Sequence, residues 1–200
     1  MKCQAYVVIA FDNLSLLLIK MYLLAHLLLG RSAARCSVEA LAYGANDISE
    51  RRDGFVKLNG VVVWQSSWFG NFSNLRGVST VVVDPFRCSA EESRRFDTFK
   101  SATDATQLRD YLRQLNRGAL IVGATADEPT NRLSAALPAL RDLGVRVNDV
   151  KYRGAFAFVA QKGFPDKTVL RKVLTRAQTV HAQPRVNIII TGRRYIFLRL

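Results

Sequence analysis

The 200-residue sequence predicts an α+β domain. Short extended segments dominate residues 37–99. The apolar period then lengthens to that of a helix in 103–116 and 129–143, with a strand after each. Composition agrees: 49% hydrophobic and 22% charged residues exclude a disordered polyampholyte, and five Pro with 12 Gly exclude collagen-like or low-complexity chains. A chain of this size buries roughly 70% of its unfolded surface, so a core alone can hold it.

Residues 37–44 alternate and read as a strand. Residues 54–65 form a hairpin: Phe55, Val56 and Leu58 lead into Asn59-Gly60, which suits a type I′ turn, and Val61 to Trp64 return. The stretch 66–76, rich in Ser, Asn and Gly, is a loop. Residues 77–84 are a continuous apolar strand stopped by Pro85, and 93–99 another short strand. Ala105, Leu108, Leu112 and Leu115 have helical spacing, with Ser101 or Thr103 as cap and Gly118 past the end. Residues 119–124 are a buried strand. Residues 129–143 read as a second helix, with Pro129 in its first turn, Gly144 as C-cap and Pro138 as a kink or break. Residues 155–160 are a strand. Residues 166–178 have helical spacing but equally read as a basic loop, and 186–191 are a strand by composition.

The net charge of +13 is unevenly spread. Residues 37–150 are neutral, whereas 151–200 hold eleven basic groups against Asp166 alone, a net +10. The charge thus predicts a neutral domain with a basic C-terminal tail, and it argues against a nucleic-acid module. Arg153 to Val159 approaches the basic-aromatic strand of an RNA-binding sheet, but alternating small and aromatic residues equally fill a half-buried strand.

Residues 5–29 are apolar, interrupted by Asp12, Lys20 and His26. Lys20, the short apolar run after it and the small residues near Ala33 and Ala34 suit a secretory signal or signal-anchor; a membrane anchor and a buried N-terminal helix remain as alternatives. The expected setting is therefore secreted or lumenal, with membrane contact only through this segment. Cys36 and Cys88 are candidates for one disulfide, or for two reduced core thiols. Asn71, before Phe72-Ser73, is a candidate N-glycosylation site.

Signals of catalysis are sparse. The chain lacks a Walker-type phosphate loop, a G-x-S-x-G elbow and an H-E-x-x-H helix. Three Cys and two His are poor material for a zinc site, and no cofactor is expected. Asp127-Glu128 is an acidic pair at a strand end; such pairs cap helices more often than they do acid–base work.

Five motifs follow one another in order: Arg76-Gly77-Val78 leading to Val81–Val83 and Asp84-Pro85; Arg94-Arg95-Phe96-Asp97-Thr98; Gly118 to Val122 with Asp127-Glu128; Leu140 to Gly144; and Tyr152 to Gly163. Together they resemble the ILEI/PANDER domain family over about residues 37–165. With this resemblance, the expected division is an apolar leader (1–36), a domain (37–165) and a basic C-terminal extension (166–200). The resemblance implies a single domain of two packed β-sheets with flanking helices, a secreted or lumenal setting, and binding rather than catalysis. It also implies a glycan site, for which the family's sugar-recognising positions fall on Arg94, Asp127 and Arg153. An Asp and two Arg offer acceptors and donors in fixed directions, as hydroxyls and an acetamide require. The expected ligand is a β-linked GlcNAc-type glycan or a glycoprotein; the rival reading is a cytokine-like domain that binds a cell-surface receptor and has no glycan site. Phe156 stands where the family has Trp, and Phe156 and Trp68 are the candidate stacking surfaces.

Overall fold

The computed structural model describes residues 35–45, 53–67, 76–173, 185–191 and 198–199. Residues 1–34 of the leader, Trp68 and Asn71 lie outside the described residues, whereas Arg35 and Cys36 already belong to a strand. The strands are β1 (Arg35–Leu41), β2 (Asp53–Leu58), β3 (Val61–Ser67), β4 (Gly77–Asp84), β5 (Ser89–Phe96), β6 (Leu120–Ala126), β7 (Ala155–Gln161), β8 (Val169–Val173), β9 (Arg185–Thr191) and the two-residue β10 (Leu198–Arg199). Two helices, α1 (Ala102–Gln114) and α2 (Leu137–Asp142), are minor beside them.

The strands form two antiparallel sheets, ordered β10-β9-β1-β2-β3 and β5-β4-β6-β7-β8. In the first sheet, Cys36, Val38 and Ala40 alternate inward with Val186, Ile188 and Ile190 of β9. They meet Val81, Val83, Leu120, Val122, Ala157 and Val159 of the second sheet in one apolar layer. The opposite face of the second sheet is covered by α1 and α2 through Leu108, Leu112, Leu140 and Leu143. Strands β6 and β7 are therefore buried along their whole length, which accounts for their unbroken apolar sequence. Gly123 makes room in that layer: a Cβ there would lie 2.1 Å from the ring of its cross-strand partner Phe158.

The hairpin turn is as read, with Asn59 at φ 48° and Gly60 at φ 80°. Ser101 caps α1, accepting from the Asp104 N–H at 3.0 Å. Cys36 and Cys88 are disulfide-bonded and tie β1 to the turn before β5, one sheet to the other.

Three expectations are corrected. Residues 129–143 are not one helix: a 3-10 turn, Leu133–Ala136, precedes the six-residue α2, and Pro138 opens α2 rather than breaking it. The described residues of 166–200 belong in part to the sheets: β8 and β9 come from them, and Val169–Val173 is a strand rather than a helical or loop segment. The helical spacing misled because Leu170 packs toward the helices and Val169 toward the other sheet, the period-two pattern of a strand. Finally, Phe156 offers no stacking surface; it is fully buried, 6.3 Å from Phe158 between ring centroids.

Candidate functional site

The best-defined polar feature sits at the end of the second sheet where β6 stops and β7 starts. Ala124 faces Ala157 in the ladder, so the next residues of β6 and those just before β7 lie opposite one another. Asp127 has φ 59° and Arg153 φ 62°, both in the left-handed region. Asp tolerates that region; for Arg it costs about 1 kcal/mol, so the surroundings must hold it there.

Glu128 does much of the holding. It is 1% exposed, and its Oε1 accepts from the Thr130 N–H (2.7 Å), the Thr130 hydroxyl (2.5 Å) and the Asn131 N–H (3.1 Å). Its Oε2 accepts from the Arg153 N–H. One buried carboxylate thus fixes the turn after β6 and the turn before β7 together. The segment after β1 adds a third support. Tyr43 N–H donates to the Thr125 carbonyl (3.1 Å) and Ala45 N–H to the Asp127 carbonyl (2.7 Å). Gly44 lies against the Arg153 carbonyl, where a Cβ would approach within 2.3 Å. The result is a rigid ledge. Asp127 is half-buried on it, Arg153 is exposed, and the neighbouring Tyr152 is 52% exposed with the Arg153 guanidinium 5.3 Å from its ring centre.

The structure brings Asp127 and Arg153 to this ledge but does not bring Arg94 to them. Arg94 lies on β5, an edge strand two places from β6, level with Thr80 and Gly123. That sets it roughly 10 Å across and roughly 13 Å along the sheet from Asp127. Its guanidinium pairs with Glu92 and lies 4.6 Å from the Tyr111 ring centre on α1. Tyr111 in turn donates to Glu92 at 3.1 Å. Burial, then the charge and hydrogen bond of Glu92, push the Tyr111 phenol up to about 12.

Sequence reasoning reached Asp127 and Arg153 through the motifs and missed Tyr152, whose exposure has no period-two signal because it lies outside β7. It weighed capping, acid–base work and ligand contact for the acidic pair; in the structure Glu128 caps no helix but ties the turn at Thr130 and Asn131 to the Arg153 N–H. Among the described residues, no group of three His, Cys, Asp or Glu side chains stands close enough to hold a metal.

The fold and this ledge define a disulfide-tied domain of two antiparallel sheets, with its distinctive backbone at one sheet end. Comparison with known proteins places it further. Residues 76–164 match the family model described as interleukin-like EMT inducer, the family that the motifs resemble. The mouse protein "Protein FAM3A" is 30% identical over 95 residues, 46% of this chain and 40% of that protein. The aligned part is thus less than half of either chain.

Proposed function

We propose that this chain is a secreted or lumenal, non-catalytic binding domain of the interleukin-like type, which binds a cell-surface protein through the ledge of Asp127, Tyr152 and Arg153. The ILEI/PANDER match over 76–164, which includes every residue of that ledge, carries the reading. Two features support it. The Cys36–Cys88 bridge fits an oxidising compartment. Glu128, the acid best placed for chemistry, spends both oxygens on structural hydrogen bonds.

The test uses the full chain with its bridge intact, labelled and titrated onto cells. Saturable binding that vanishes after surface proteolysis is expected. Arg153→Gly should weaken it about tenfold or more, as loss of a central interface Arg does. The same change should leave the melting temperature within about 3 °C, because Gly relieves the positive φ while the side-chain contacts are lost. Binding that survives proteolysis, or an Arg153→Gly variant that binds like its parent, would refute the reading.

A second reading keeps the glycan. It is favoured by an acceptor (Asp127), a donor (Arg153) and an exposed aromatic ring (Tyr152) held at one sheet end. Arg94 has no part in it. NMR titration with β-linked N-acetylglucosaminides would then show saturable shifts at 127, 152 and 153, lost in a folded Asp127→Ala variant; flat spectra across a glycan panel would remove it.

A further inference from the structure

The β8 edge of the second sheet gathers cations that the ledge does not use. Arg141, Arg146, Asn148, Asp149 and Lys172 line an open cleft of about 270 Å³ between the end of α2 and β8. Lys172 consumes the acid there: its Nζ donates to both Asp149 oxygens, at 2.6 and 2.5 Å, and holds that carboxyl below its usual range. Among the described residues, no carboxylate lies within ion-pair distance of Arg141 or Arg146. Both side chains are exposed.

A second pair of cations adjoins the cleft. The Arg117 guanidinium and the Lys167 ammonium share one aromatic ring, lying 4.8 and 5.1 Å from the centre of Phe164. Asp166 is on the same turn but pairs with neither. Two like charges around one ring repel each other, and an anion between them relieves that repulsion. The two groups are physically joined. Gly144, just past α2, abuts the Pro165 carbonyl, and the Thr168 hydroxyl donates to the Leu143 carbonyl. Lys167 and Lys172 are five residues apart on extended chain, roughly 16 Å.

We infer that this strip, from Arg117 and Lys167 to Arg141, Arg146 and Lys172, is a binding surface for a linear sulfated polysaccharide. Guanidinium forks match sulfate oxygens as they match phosphate. The disulfide places the protein where sulfated polysaccharides, rather than nucleic acids, are the abundant linear polyanions. Nucleic acid fits less well for a second reason: single strands bind by stacking bases on open aromatic faces, and cations occupy Phe164. This site is separate from the ledge and does not depend on the partner proposed for it.

Heparin of defined length is the probe, with desulfated heparin and a single-stranded DNA oligonucleotide of matched charge beside it. The full, disulfide-bonded chain should bind heparin at about 0.15 M salt, where a Debye length of about 8 Å leaves only close contacts effective. Arg141→Gln with Arg146→Gln should weaken binding about tenfold, and adding Arg117→Gln with Lys167→Gln about a hundredfold. By counterion release, the slope of log affinity against log salt should fall by roughly one per cation removed. Arg95→Gln with Lys100→Gln, on and just after the opposite edge strand β5, should change affinity less than about twofold. The Arg141/Arg146 pair is exposed, so its result stands even if the Phe164 turn is disturbed by the other two changes. Absence of heparin binding, equal binding of desulfated heparin, an equal loss in the β5-side variant, or tighter binding of DNA would each overturn the inference. Cell binding that fails while heparin binding persists would count against the ledge alone.

Discussion

Tyr111 shows how one side chain reports its surroundings. The residue is 5% exposed, and its phenol donates to Glu92 and is pushed up to about 12 against an ordinary value near 10. A raised value means that the folded state favours the neutral phenol. The resulting stabilisation is complete below about pH 10 and is lost as pH rises through about 12. Following phenolate absorbance, one of the six tyrosines should ionise last, together with a fall in stability. Tyr111→Phe should abolish that late step and flatten the alkaline loss; an unchanged titration would show that another tyrosine is responsible. Glu128 is the residue whose role the sequence left open. Asp127-Glu128 reads as a cap or ligand contact more readily than as a catalytic acid, and the choice depends on Arg153, 25 residues away, from whose N–H Glu128 accepts.

At the scale of elements, several of the family motifs turn out to be joints of the fold. Arg76 bonds Asp97 at 3.3 Å and lies 4.6 Å from the Phe99 ring centre, so the Arg-Gly and Phe-Asp motifs are two halves of one clasp. Gly77, at φ 97°, leaves no space for a Cβ beside the Phe96 carbonyl. This explains why the hairpin, the central strands and α1 were legible, since caps, turns and apolar periods are local signals, whereas the fold is mostly β and its helices are a smaller part than the α+β reading expected. It also explains why the Arg94 position misled. A motif fixes where Arg94 lies along β5, but Glu92 and Tyr111 decide where its guanidinium goes. The start of the supposed second helix failed for a similar reason, since Glu128 takes the Thr130 and Asn131 N–H groups and holds 129–132 in a turn. The disulfide is the strongest joint between the sheets. With its cysteines 52 positions apart in sequence, chain entropy predicts about 4 kcal/mol of stabilisation. Reduction, or Cys36→Ala with Cys88→Ala, should lower the urea midpoint accordingly without changing far-UV circular dichroism; an unchanged midpoint would mean that sheet packing alone holds β1.

At the scale of the whole molecule, the family match and the folding unit differ in extent. Residues 76–164 contain β4 to β7 and both helices, but not β1, β2, β8 or β9, whose Val38, Val56, Val169 and Ile188 share the layer between the sheets. A fragment of 76–164 would expose Val81, Val122 and Val159 and leave Cys88 without Cys36. It should therefore show no cooperative melting and should bind a dye for exposed apolar surface, whereas residues 35–200 should melt in one transition. A cooperatively folding fragment would show that the second sheet needs no partner.

The pairing of β1 with β9 sets the order in which the chain can be completed during synthesis. Arg35 faces Thr191, so the first described strand must wait for one made about 150 residues later. Translation at 5–20 residues per second makes that delay roughly 8 to 30 s. Through that interval β1 has β2 on one side and an open edge on the other. The thiol of Cys88 emerges well before β9, so the bridge to Cys36 can anchor the open strand to the growing second sheet. The cross-link that stabilises the finished domain is thus placed to hold β1 beside the second sheet until β9 arrives to close its edge.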